Sequence, residues 1–178
     1  MRSKIIKSGI LMALLCAMAT HATAATEEFS RAELFGGYQF TRIGGAGGVN
    51  ANGWDGALTG NVNRWFGVSA DFSGAYKSVG DIGAKAHTFT VGPQLSWRGG
   101  RVTAFAHVLM GGFHASAGLE GLSAGTSGFT TMVGGGVDVK AAPHLAVRLF
   151  QLDWFLWRTM GITEKQNARI SAGLVFRF

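Results

Sequence analysis

The chain is poor in cysteine, proline and charge, and these shortages exclude several kinds of protein. Its one cysteine, Cys16, excludes a domain held together by disulfides. Charged residues make up 15% of the chain, whereas soluble globular domains have about 25%. Beyond residue 24 no apolar run approaches the roughly 18 residues typical of a membrane-spanning helix. A chain that is apolar yet lacks such a helix favours a lipid-exposed β-barrel, because only helices and closed barrels satisfy their backbone groups in hydrocarbon.

Residues 1–24 have the pattern of a cleaved secretory signal peptide. Three basic residues within the first seven positions precede an apolar run over 9–19, and Ala22-Thr23-Ala24 is a small-x-small cleavage site. Cleavage would remove Cys16 and leave residues 25–178 as the barrel domain. The remaining 13 basic and 10 acidic residues lower the formal charge from +6 to +3. They form no basic cluster, so nucleic-acid binding is not expected.

The segment 169–178 shows the pattern that organises the rest of the chain, with apolar and polar residues in alternation. Eight such segments predict an all-β fold, a single eight-stranded antiparallel up-and-down transmembrane β-barrel. In the seventh segment the polar residues alternate up to Arg148 and then resume one position late, at Gln151. This shift predicts a β-bulge near Leu149 or Phe150. The segments cover 32–43, 54–62, 66–76, 87–97, 101–113, 129–139, 145–157 and 169–178.

The connections between these segments alternate between long and short. Loops of roughly 10 to 15 residues are predicted at 44–53, 77–86, 114–128 and 158–167, with short turns at 63–65, 98–100 and 140–144. Outer-membrane barrels have long extracellular loops and short periplasmic turns. With an even number of strands, both termini are therefore expected in the periplasm.

The polar face of the segments consists mostly of Gly, Ser, Thr, Asn and Gln, which fits a narrow eight-stranded interior. A soluble periplasmic barrel of the lipocalin type is the alternative, but its water-facing surface would need many Lys and Glu residues. Aromatic residues collect at both ends of the segments, where they would form girdles at the membrane interfaces. The set predicted at the loop side includes Trp154 and Trp157.

The chain resembles a family of small outer-membrane β-barrel proteins of Gram-negative bacteria, the OmpA/OmpX-like transmembrane barrels. The likeness rests on the signal peptide, the opening strand at 33–38, the hairpin at 134–140 and the terminal residues 174–178. In that family a terminal aromatic, with hydrophobic residues at alternating positions before it, is read by the barrel-assembly machinery. The resemblance therefore implies that Leu174, Phe176 and Phe178 form an assembly signal.

Charged residues on the inner face are expected to pair, because burying an isolated charge is costly. We expect an interior network in which Arg148 and Arg169 lie between acidic side chains. Such a network would plug and stabilise the barrel, and a narrow channel is the alternative. Its predicted members are Glu33, Asp71, Arg148, Asp153 and Arg169, and Asp55, Asp138 and Arg177 share the same face.

An enzyme that modifies lipid A is a further alternative, because His114-Ala115-Ser116 could pair a base with a nucleophile and Glu120 lies nearby. Against it, the pattern is weak and its surroundings resemble an ordinary loop. The other histidines of the barrel domain, His87, His107 and His144, show no metal-ligand spacing. No catalytic residue, metal or cofactor is therefore predicted.

The sequence thus predicts a non-catalytic outer-membrane protein with a role in envelope integrity or surface interaction. Its expected partners are outer-membrane lipid and lipopolysaccharide, together with the barrel-assembly machinery during biogenesis. A monomer is expected.

Overall fold

Eight antiparallel strands form one closed barrel in the computed structural model, which describes residues 29–44, 48–79, 82–119, 122–159 and 162–178. The predicted signal peptide and Glu120 lie outside these ranges. No helix in the described ranges is long and apolar enough to cross a membrane. The strands are β1 (Ala32–Ile43), β2 (Val49–Asn61), β3 (Phe66–Val79), β4 (Ile82–Gly99), β5 (Val102–Leu119), β6 (Leu122–Ala142), β7 (Leu145–Thr159) and β8 (Ile162–Arg177).

Each strand pairs with its neighbours in sequence, and β8 closes the barrel against β1. The closing register places Gly37 opposite Gly173 and Glu33 opposite Arg177. The seam continues to the last residue, where the Phe178 amide donates to the Ala32 carbonyl oxygen at 2.8 Å. The predicted eight-stranded up-and-down barrel is confirmed. Below, the terminal end is the end that contains Phe178, and the distal end is the opposite one.

The two faces of the strands separate as the alternation predicts. Large apolar side chains such as Leu58, Phe72 and Val133 lie outside, where each is about half exposed. The buried positions between them carry Thr, Ser, Gln, Asp and Arg side chains. Two small apolar clusters share the interior, one around Phe35 and Val175 and one formed by Leu109, Met132 and Phe155. The outer surface is therefore suited to hydrocarbon and the interior to polar side chains.

The predicted long loops are wrong, because the strands continue through most of them. β3 extends to Val79 and β4 begins at Ile82, while β5 extends to Leu119 and β6 begins at Leu122. Similarly, β7 extends to Thr159 and β8 begins at Ile162. β6 has 21 residues, whereas a tilted strand needs roughly 9–11 to cross a bilayer. The strands of the distal end are thus long enough to project beyond the hydrocarbon.

The bulge predicted in β7 is confirmed. Opposite β6, Val137 pairs with Phe150 but Asp138 pairs with Arg148, so Leu149 is an extra residue. Both Leu149 and Phe150 point outward, and the inward phase resumes at Gln151. The extra residue keeps the polar side chains on either side of it inside the barrel.

One aromatic residue lies on the other face from the one expected. Trp157 keeps the inward phase of Asp153 and Phe155, and it pairs with the fully buried Thr130. Its ring stacks on that of Phe113, with centroids 4.4 Å apart and planes within 10°. Trp157 therefore belongs to the interior, whereas Trp154 points outward and is 60% exposed.

Candidate functional site

The centre of the barrel is occupied by the guanidinium group of Arg169, which binds three carboxylates. Nη1 and Nη2 donate to the two oxygens of Asp71 at 3.0 and 2.8 Å. Nε and Nη2 donate to Asp153 Oδ2 at 2.8 and 2.7 Å, and Nη1 donates to Asp55 Oδ1 at 3.3 Å. All four side chains are almost completely buried. Charge-assisted bidentate hydrogen bonds between a guanidinium and a carboxylate are about twice as strong as hydrogen bonds between neutral groups.

Asp153 connects this centre to the next part of the interior. Its Oδ1 lies 2.7 Å from His107 Nε2, which donates because a carboxylate can only accept. Its Oδ2 also accepts from Gln151 Nε2 at 2.8 Å. The amide oxygen of Gln151 in turn accepts from Arg148 Nη1 at 2.6 Å. Gln151 therefore links the two buried arginines.

Arg148 is held by charge and by aromatic rings. Its Nε and Nη2 donate to the two oxygens of Asp138 at 2.8 and 3.2 Å. Its Cζ lies 4.2 Å from the ring centroids of both Phe35 and Phe105. A desolvated guanidinium over an aromatic face gains cation–π attraction. These contacts fix the side chain in the middle of the narrow interior.

At the terminal end the network finishes at Glu33. Its Oε1 accepts from Arg98 Nη2 at 3.0 Å and lies 3.6 Å from Arg177 Nε. Arg177 Nη2 lies 3.6 Å from Asp138 Oδ2, which joins this pair to Arg148. The charged column, as we call the whole set, draws on every strand of the barrel. Its members are Glu33, Asp55, Asp71, Arg98, His107, Asp138, Arg148, Gln151, Asp153, Arg169 and Arg177.

The structure brings Asp71, Asp153 and Arg169 into direct contact, but it pairs the other two predicted members differently. Glu33 binds Arg98 and Arg177 rather than Arg148 or Arg169. Arg148 binds Asp138. Register explains the difference, because Glu33 lies opposite Arg177 on β8, at the terminal end, whereas Arg169 lies eight positions earlier on that strand.

His107 and Arg98 were missed in the sequence. His107 alternates in step with Phe105 and Leu109, and all three point inward. This alternation is the sequence pattern that could have placed His107 in the interior. What it contacts depends on β6, where Gly134 lies opposite both His107 and Asp153. A Cβ on Gly134 would overlap Asp153 Oδ1, so glycine leaves the space in which the histidine and the carboxylate meet.

The charged column leaves little room for a continuous path. A cavity of about 10 Å³ lies against Arg169, lined also by Gln39, Thr41 and Met132. That volume suffices for about one water molecule. In the described ranges no group of three or more His, Cys, Asp or Glu side chains could hold a metal ion.

On the outer face, His114 contacts a different serine from the one expected. Its Nδ1 lies 2.8 Å from Ser127 Oγ on β6. Ser116 lies opposite Lys85 on β4, and Glu120 is outside the described residues. No carboxylate within the described ranges contacts the His114 ring.

The residues of the predicted assembly signal are all on the outer surface. Leu174 and Phe176 are somewhat under half exposed, and Phe178 is 71% exposed. Their side chains make no contribution to the charged column.

Comparison with known proteins agrees with this architecture. The family described as "Outer membrane protein beta-barrel domain" matches residues 10–178. Among solved structures, Neisserial surface protein A superimposes with a TM-score of 0.72 at 12% identity, covering 85% of this chain and all of that one. The attachment invasion locus protein Ail of Yersinia pestis gives 0.62 at 17% identity, with the same coverage of both chains.

The N-terminal β-barrel of OprF from Pseudomonas aeruginosa gives a TM-score of 0.56 at 10% identity, covering 85% of this chain and all of that barrel. No curated protein sequence matches the chain. These identities are low, so the solved structures show a shared fold. The family match covers all of the barrel, and this chain therefore belongs to the outer-membrane β-barrel family and is a protein of the outer membrane.

Proposed function

We propose that the protein is a non-catalytic structural component of the outer membrane whose interior is permanently plugged. The observation that carries this proposal is the charged column, to which all eight strands contribute. Opening a path along the axis would require several buried ion pairs to break together, and each broken pair would leave a desolvated charge. Such an interior favours rigidity over transport.

In the proposed orientation the termini lie in the periplasm and the distal strand tips at the cell surface. A row of polar and aromatic side chains on the distal outer face supports it. Trp54 Nε1 donates to Tyr76 Oη at 3.2 Å, and that oxygen lies 3.1 Å from His87 Nε2. Amphipathic rings favour the headgroup level of a bilayer. The proposed partners of this row are the headgroups of lipopolysaccharide in the outer leaflet.

The plug is tested by recording from the purified protein in planar lipid bilayers. We expect no stable discrete conductance, because paired charged side chains fill the interior and the cavity beside Arg169 has room for about one water molecule. A large porin reconstituted in the same way serves as the positive control. Reproducible single-channel steps from the barrel would favour the narrow channel and refute the plug.

The envelope role is tested in cells that lack the protein. We expect their outer membrane to become more permeable to detergent and to large antibiotics, and expression of the wild-type chain to reverse this. An Arg169→Met chain that reaches the membrane but fails to complement would connect the role to the charged column. Unchanged permeability in the deletion strain would contradict a role in envelope integrity.

Lipid A modification remains the alternative function, supported by the outward-facing pair of His114 and Ser127. Mass spectra of lipid A decide between the two. A structural protein leaves the spectrum unchanged on expression. Loss of an acyl chain that depends on Ser127, or on Ser116, would replace the structural proposal with an enzymatic one.

A further inference from the structure

The distal end of the barrel contains an open cavity of about 410 Å³, separate from the charged column. Most of its wall comes from the strand extensions that alternation alone failed to predict. The inward positions of these extensions are occupied mainly by alanine, whose small side chain leaves the lumen empty where larger ones would fill it. The alanines of the wall are Ala51, Ala75, Ala84, Ala86, Ala115, Ala117 and Ala124.

The inner boundary of this cavity is the ring of Trp157, which stacks on Phe113. Trp157 in turn packs on the cluster of Leu109, Met132 and Phe155. Met132 Sδ lies 3.3 Å from Arg169 Nη2, so the charged column begins directly behind that cluster. The cavity is therefore open at the distal end and closed at its floor.

One cationic side chain, that of Lys77, lines the inner wall. Lys77 lies two positions beyond the inward-facing Ala75, and no acidic side chain in the described ranges pairs with it.

A groove of about 320 Å³ beside the cavity is lined by Lys77, Lys85 and Tyr76. Lys85 and Tyr76 are exposed and follow the outward phase of their strands, whereas Lys77 follows the inward phase. The cavity thus combines an apolar wall with the positive charge of Lys77. An occupant that matches both features has an apolar body and an anionic group.

We propose that this cavity is a binding site for small aromatic carboxylates. Alanine walls accept a flat ring, and the carboxylate supplies a negative charge for Lys77. The volume lies within the roughly 300–1,000 Å³ of ordinary small-molecule sites. Because the floor is closed, the site retains its ligand and does not pass it into the periplasm.

The test uses the full barrel in lipid nanodiscs, labelled with 5-fluorotryptophan and titrated with 2-naphthoate. The chain has five tryptophans, and the fluorine signal of Trp157 is assigned by its loss in Trp157→Phe. We expect this signal to shift and to saturate. Trp154 points to lipid and reports partition of the probe into the bilayer. A response of Trp154 without one of Trp157 would overturn the proposal.

Charge recognition is tested with Lys77→Gln, which keeps the length of the side chain. We expect affinity for 2-naphthoate to fall about tenfold or more, as for loss of a charge-assisted hydrogen bond. Lys165→Gln, an exposed position outside the cavity lining, is the matched control and should bind like the wild type. Equal affinity in the wild-type and Lys77→Gln proteins would refute an anion site.

The space itself is tested with Ala86→Leu and, independently, Ala115→Leu, which fill the cavity from neighbouring positions on β4 and β5. Heat-modifiable gel migration verifies that each variant is folded. We expect both to abolish the Trp157 shift. The neutral 2-naphthamide should bind about tenfold more weakly than 2-naphthoate. Equal binding of amide and carboxylate would instead assign the cavity to neutral apolar molecules and reject the proposed class.

Discussion

At the scale of single residues, Arg169 decides whether the barrel interior is stable. One guanidinium contacts three buried acidic side chains, and His107 contacts one of these, Asp153. Removing one partner of a buried ion pair is far more destabilising than replacing the whole pair, because the remaining charge stays desolvated. Arg169 has more such partners than any other residue of the charged column.

Replacing Arg169 with Met should therefore lower the free energy of unfolding by about 3–5 kcal/mol. Methionine keeps much of the volume and removes the charge, so packing changes little while three carboxylates lose their counter-ion. Urea-induced unfolding in liposomes, followed by tryptophan fluorescence, measures the difference.

Lys165→Met is the matched control, because it removes a positive charge from an exposed position. Surface substitutions of this kind change stability by about 0.5 kcal/mol or less. If Arg169→Met were as mild as this control, the charged column could not be the source of the rigidity proposed for the barrel.

At the scale of strands, the bulge in β7 lets two polar stretches face inward on the same strand. Arg148 precedes the extra residue, and Gln151 and Asp153 follow it. Deleting Leu149 would leave Arg148, Phe150 and Gln151 in regular alternation. Every side chain of β7 that now points inward would still point inward. We expect this deletion to give a folded barrel that still shows heat-modifiable migration, at a stability cost of about 1–3 kcal/mol.

Deleting Leu152 is the corresponding control within the same strand. It makes Gln151 and Asp153 consecutive, and consecutive residues of a strand point to opposite faces. One of the two would then face lipid, so we expect assembly to fail. If the two deletion variants assembled equally well, assembly would not depend on keeping the polar side chains of β7 inside the barrel.

The same alternation explains which strands the sequence could predict. Phe72, Phe89 and Leu95 contrast sharply with the Ser, Thr and Gln residues between them, so the central parts of β3 and β4 were located correctly. The extension over 82–86 has only Gly, Ala and Lys after its first residue, and it carries almost no apolar contrast. It is a strand because its backbone pairs with β3 and β5. The alternation of side chains does not reveal such backbone pairing.

The candidate sites were predictable to different extents for the same reason. The alternation of polar and apolar residues is enough to place Asp71, Asp153 and Arg169 on the inner face. Which of them meet depends on the closed barrel, because Arg169 on β8 reaches Asp71 on β3 across the lumen. The distal cavity is not predictable from the sequence pattern, since its wall alanines, except Ala75, lie in the predicted loops.

At the scale of the whole molecule, the interior has two zones. The half near the terminal end is filled by paired charges, and the distal part is an apolar cavity closed by Trp157. The zones are compatible because the strands are longer than the bilayer requires, which leaves room for a cavity beyond the plug. Rigidity and ligand binding can therefore reside in one small barrel without a transport path between them.

Assembly of the whole barrel provides the last prediction, for the residue that ends the chain. The backbone of Phe178 closes the seam, since its carbonyl oxygen accepts from the Arg31 amide at 2.8 Å, but its side chain is 71% exposed on the outside. Phe178→Ala keeps those backbone bonds, so the purified variant should refold into detergent like the wild type. If the ring is an address for the assembly machinery, the yield in the outer membrane should fall severalfold.

Phe40→Ala is the matched control, because Phe40 is another outward-facing aromatic residue on the strand that pairs with β8. Loss of lipid contact alone would lower the yield of both variants alike. A deficit confined to Phe178→Ala, together with normal refolding in vitro, separates recognition of the terminus from stability of the barrel. Normal yield of Phe178→Ala in cells would mean that the terminal ring is only one more lipid-facing side chain.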